Sequence, residues 1–83
     1  MPHHTLDLTI TDRESVAERV KRFLAGIEQP LVSIELTAQD RRWSFYGFYQ
    51  VTRLDRDLLA TKIIKQIIDR PFGSVRIVAR SGS

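Results

Sequence analysis

Residues 32–51 read Val32-Ser33-Ile34-Glu35-Leu36-Thr37-Ala38-Gln39-Asp40-Arg41-Arg42-Trp43-Ser44-Phe45-Tyr46-Gly47-Phe48-Tyr49-Gln50-Val51. Val32, Ile34 and Leu36 alternate with Ser33, Glu35 and Thr37, the period of two of a strand with one apolar and one wet face. A short loop, Ala38 to Arg42, separates this run from a second extended stretch, Trp43 to about Arg53, which carries Trp43, Phe45, Tyr46, Phe48 and Tyr49. A connection this short joins antiparallel neighbours, so the two stretches are predicted to form a hairpin.

The same alternation recurs on either side. Leu6, Leu8 and Ile10 interleave with Asp7, Thr9 and Thr11, and Val75, Ile77 and Ala79 interleave with Arg76, Val78 and Arg80. Between strands lie two helical patterns. Thr11 stands three residues before Glu14 at capping-box spacing, and Val16, Val20, Phe23, Leu24 and Ile27 then form one apolar stripe. Gly26 is expected to end this helix in the left-handed conformation. Asp55 is positioned to cap the second helix, with Leu54 and Leu59 at the spacing of a hydrophobic staple. Ala60, Ile63, Ile64, Ile67 and Ile68 form its stripe, and Pro71 ends it.

The order is therefore strand, helix, strand, strand, helix, strand. One stripe per helix and right-handed crossovers place both helices on one side of the sheet. This predicts an α+β, ferredoxin-like βαββαβ sandwich: a four-stranded antiparallel sheet with two helices on one face, in strand order fourth, first, third, second. Eighty-three residues suffice for one domain. Residues 1–4 and 81–83 are expected to be flexible tails.

Composition narrows the functional classes. With 42% hydrophobic and 28% charged residues the chain has the make-up of a globular protein, and with no cysteine it has no disulfide framework, thiolate metal site or cysteine nucleophile. No apolar run approaches the ~20 residues that span a bilayer, and Met1-Pro2-His3-His4-Thr5 shows no basic segment followed by an apolar run, so a soluble, cytoplasmic protein is expected. Net charge is +3, unevenly spread: −3 over residues 1–40 and +6 over residues 41–83. Such asymmetry marks a surface for phosphate or an acidic partner, or is ordinary solvated charge.

With both helices on one face, the other is bare. Asp7, Thr9, Ser33, Glu35, Thr37, Ser44, Tyr46, Phe48, Gln50, Arg76, Val78 and Arg80 are expected on it, with Tyr46 and Phe48 near its middle on an internal third strand. Two rings two residues apart are suited to stack unpaired bases, each worth about 1–3 kcal/mol, while Arg41, Arg42, Arg76 and Arg80 hold phosphates. The segment Ser44–Val51 loosely resembles, in its aromatic-glycine-aromatic centre, the aromatic octapeptide of the RNA-recognition motif. It departs where Ser44 replaces a basic residue, Phe45 a glycine and Val51 an aromatic, and where Asp7 occupies the place of an aromatic on the first strand. The resemblance covers about eight residues and the order of elements, and carries no family assignment.

An exposed Tyr-Phe-Val patch is equally what a homodimer or protein partner covers. His3 and His4 lack a carboxylate partner at metal-site spacing, Trp43 is expected as a lid on the core, and no cofactor is implied. No phosphate loop, nucleophile elbow or His-Glu metal pair is present, so the chain is expected not to be an enzyme. The first reading is a nucleic-acid-binding module for single-stranded RNA or DNA; the alternative is a homodimeric interaction or regulatory adaptor.

Overall fold

The computed structural model describes residues 3–10, 13–39, 44–51, 56–68 and 73–82. Along the chain these form β1 (His3–Thr9), α1 (Arg13–Ala25), β2 (Leu31–Gln39), β3 (Ser44–Gln50), α2 (Arg56–Ile68) and β4 (Ser74–Ser81). The element order and the β2–β3 hairpin are as expected, the latter pairing Ser33 with Gln50 through Gln39 with Ser44. The four strands form one antiparallel open sheet, an α+β fold. Arg41, Arg42 and Trp43 lie outside the described residues, as do Thr11, Leu54, Asp55 and Pro71.

Across the sheet the order is β1-β4-β2-β3, not the expected fourth, first, third, second. Each βαβ passage still skips one strand, but β4 now lies between β1 and β2, and β2 between β3 and β4. The third strand is therefore an edge, not an internal strand. Strand length and burial account for the difference. β2 and β4 are the longest strands, nine and eight residues against seven each for β1 and β3. They also carry the most fully buried side chains, Ile34, Leu36, Ile77 and Ala79 each being fully buried. Placing them centrally covers the most apolar surface.

One core joins both helices to one sheet face. Val16, Val20 and Leu24 of α1 and Leu59, Ala60, Ile63 and Ile67 of α2 cluster with Leu8, Ile34, Leu36, Ala38, Val75, Ile77 and Ala79. Leu59, read from sequence as a staple, is thus core, while Leu58 beside it is exposed.

The end of α1 departs from expectation. Among the described residues no glycine has a positive φ, so Gly26 does not stop the helix in the left-handed region. Its N–H donates to Arg22 O at 3.0 Å, and the N–H of Ile27 donates to Leu24 O at 3.3 Å, narrowing the last turn. Arg56, at the start of α2, donates to the same Leu24 O at 2.6 Å and collects the carbonyls beyond, Ile27 O and, at 2.9 Å, Gln29 O. A cation at this place satisfies orphan carbonyls and opposes the negative end of the helix dipole.

His3, His4 and Ser81, expected in the tails, are strand residues. β1 begins at His3, and β4 runs to the fully buried Ser81, whose hydroxyl lies 3.2 Å from His4 Nε2. Among the described residues no helix is long and apolar enough to cross a membrane.

Candidate interaction surface

Strand register assigns the uncovered face row by row. Across β1, β4, β2 and β3, one row is Asp7, Arg76, Thr37, Tyr46; the next is Thr5, Val78, Glu35, Phe48; the third is His3, Arg80, Ser33, Gln50. Period-two alternation puts Leu8, Ile34, Leu36, Ala38, Val75, Ile77 and Ala79 in the core, as read from the sequence; at the start of β2 the register shifts between Leu31 and Ser33, so that Leu31 packs against the core where Val32 was expected and Ser33 of the outer row is buried. Tyr46 is 63% and Phe48 53% exposed, the two most exposed large apolar side chains among the described residues. They lie along the β3 edge and not at the middle of the face.

The arginines of this face are matched by carboxylates. Arg76 Nε donates to Asp7 Oδ1 at 2.7 Å and its Nη2 to Asp7 Oδ2 at 3.4 Å, a forked pair across β4 and β1. Hydrogen bonding from Arg76 holds the Asp7 carboxyl below its ordinary value, opposed by desolvation and reinforced by the guanidinium charge. On the other side of β4, Arg80 Nη2 approaches Glu35 Oε1 of β2 at 3.7 Å. The central strand position of β4 makes both pairs possible, since it borders β1 and β2 at once.

Of the six residues expected to bind nucleic acid, the structure therefore brings Tyr46 and Phe48 together on one edge strand. It sets Arg76 and Arg80 two strands away, roughly 10 Å at ordinary strand spacing, each beside an acid. Glu35 stands directly next to Phe48 in its row. Arg41 and Arg42 fall outside the described residues. Asp7 and Glu35 are separated by β4, and each faces an arginine. His3 and His4 are successive residues of β1 and point to opposite faces, so they do not converge on one ion.

The β3 edge has a definite hydrogen-bonding parity. Val51 N–H donates to Val32 O at 2.9 Å, so Tyr49, Gly47 and Phe45, two, four and six residues before it, also turn their amides toward β2. Tyr46, Phe48 and Gln50 present theirs outward, where among the described residues no further strand pairs. Sequence reasoning missed this edge and the acid partners of the arginines. The Asp7 and Glu35 periodicity was a signal for the latter, but their arginine partners follow only from strand order.

Depressions lie both on this face and on the helix side. One, lined by Asp7, Thr9, Thr37, Ser74 and Arg76, is part of the same surface, with its charges already paired. The other is an apolar groove between the helices lined by Ala17, Ile64 and Ile68 and rimmed by Lys21 and Lys65. No protein-family model matches this chain, and no curated protein matches it.

Proposed function

We propose that this chain is a small protein-association module, homodimeric through the β3 side of its open sheet face, and not a catalyst. The observation that carries the reading is the separation of rings from charge: Tyr46 and Phe48 are exposed on a strand without a charged residue, while Arg76 and Arg80 sit beside Asp7 and Glu35. Exposed rings on a neutral surface favour burial against another apolar surface. A phosphate backbone would have to displace the carboxylates first and would meet Glu35 beside Phe48.

Nucleic-acid binding is the second reading. It is supported by the basic excess of residues 41–83 and by two rings at alternate positions of one strand. Sedimentation of the wild type and of the Tyr46→Ala/Phe48→Ala double variant, each with and without a short single-stranded oligonucleotide, separates the two. Association predicts a wild-type dimer, a monomeric variant, and no oligonucleotide shift in either. A wild-type monomer that takes up oligonucleotide in a salt-dependent manner, lost in the variant, establishes the second reading instead.

A further inference from the structure

We infer that two copies of this chain join edge to edge, β3 pairing antiparallel with β3 of a second copy about a twofold axis at Gly47, to make one continuous eight-stranded sheet. The inference rests on the association reading above and specifies its geometry.

Three observations converge on it. The outward edge of β3 carries the N–H and C=O groups of Tyr46, Phe48 and Gln50, a template for another strand. Soluble proteins usually blunt such an edge with lysine, proline or an inward-pointing charge, and Ser44-Phe45-Tyr46-Gly47-Phe48-Tyr49-Gln50 contains none of these. By contrast the other edge, β1, carries Asp7 on its open face.

The strand is also symmetric in type about its centre: polar, aromatic, aromatic, glycine, aromatic, aromatic, polar. With the axis at Gly47, antiparallel pairing sets Tyr46 opposite Phe48 of the second copy on the open face, Phe45 opposite Tyr49 on the helix face, and Ser44 opposite Gln50. Aromatic cross-strand pairs of this kind stabilise a sheet. Charge does not oppose the meeting of identical strands, because the strand has none.

Backbone parity agrees with this register. Gly47 turns its amide toward β2, so at the axis it meets its own copy as a non-hydrogen-bonded pair, the position of closest backbone approach. Tyr46 with Phe48, and Ser44 with Gln50, then fall at hydrogen-bonded positions, where their outward amides find carbonyls. On the helix face the ring of Phe45 already lies against Gly47, 3.3 Å from where a Cβ would stand, and so covers the glycine within its own strand. A twofold axis perpendicular to the sheet keeps both helix layers on one side and makes the interface isologous and closed.

The test uses wild-type protein, comparing backbone amide exchange with sedimentation over a dilution series. Edge pairing predicts that the Tyr46, Phe48 and Gln50 amides slow by about tenfold or more as the dimer forms, while the edge amides of β1 stay fast. A dimer whose β3 edge amides exchange equally fast at all concentrations overturns edge pairing and leaves the association reading standing. A monomer at every concentration overturns both. Because the chain has no cysteine, register is checked by mixing Tyr46→Cys with Phe48→Cys under oxidation. The mixed disulfide is expected to exceed either self-disulfide by about tenfold, since directly opposed positions stand nearer to bridging distance than diagonal ones. Equal yields overturn the Gly47 axis.

Discussion

Arg56 does more for this fold than its place at the head of a helix suggests. Its guanidinium donates to three carbonyls at the end of α1, those of Leu24, Ile27 and Gln29, and so ties the two helices together at the point where the chain turns toward β2. Arg56→Ala is expected to lower stability by about 2 kcal/mol, read by urea denaturation. Arg56→Lys is expected to recover only part of this, because a single ammonium cannot match the fork. The Asp7–Arg76 pair acts through pH. The folded-state pKa of Asp7 lies below its ordinary value of 3.8, so its stabilisation is present above that value and is lost as pH falls through the lower, folded-state pKa. Melting temperatures of the wild type and Asp7→Asn should therefore differ at neutral pH and converge in acid; a gap that persists unchanged at low pH would contradict the pair's role. Both residues are largely exposed and the difference should be small.

At the scale of elements, burial and edge parity set what each position tolerates. Ile63 of α2 is fully buried between the helices and the sheet. Ile63→Ala is expected to cost about 2–5 kcal/mol and Ile63→Val about 0.5–1.5 kcal/mol by denaturant titration. For a chain whose whole stability is of order 4–12 kcal/mol, the first change removes a large share. On β3 the alternating direction of the amides makes a sharper contrast. Phe48 turns its N–H away from β2, so Phe48→Pro should keep the protomer's own ladder and, compared as monomers at low concentration, fold with a modestly lowered melting temperature. Gly47 turns its N–H into the ladder with β2, so Gly47→Pro should lose that bond and melt far lower. Equal effects would mean that the parity drawn from the Val51–Val32 hydrogen bond is wrong.

At the scale of the whole molecule, the uncovered face balances two acids against two arginines, and this balance decides which partners it attracts. Asp7→Asn combined with Glu35→Gln frees Arg76 and Arg80 without touching the core. The double variant should bind single-stranded oligonucleotide more tightly than the wild type, its logarithmic salt dependence steepening by about 1.4 for two additional phosphate contacts. Unchanged binding would show that the carboxylates do not mask these cations. The sequence by itself determined the elements, their order, the hairpin and, except at the shifted start of β2, which side chains face the helices, because period-two and helical periodicities are local and survive any arrangement of strands. Tyr46 and Phe48 were legible as exposed rings for the same reason. Only the tertiary structure decided that β4 and β2 are central, that β3 is an edge, and that Asp7 and Glu35 flank the arginines of β4. A strand's own alternation is the same at the middle of a sheet as at its margin. Which neighbour it meets depends on how the longest apolar strands are best covered by two helices, a choice made by the whole core at once.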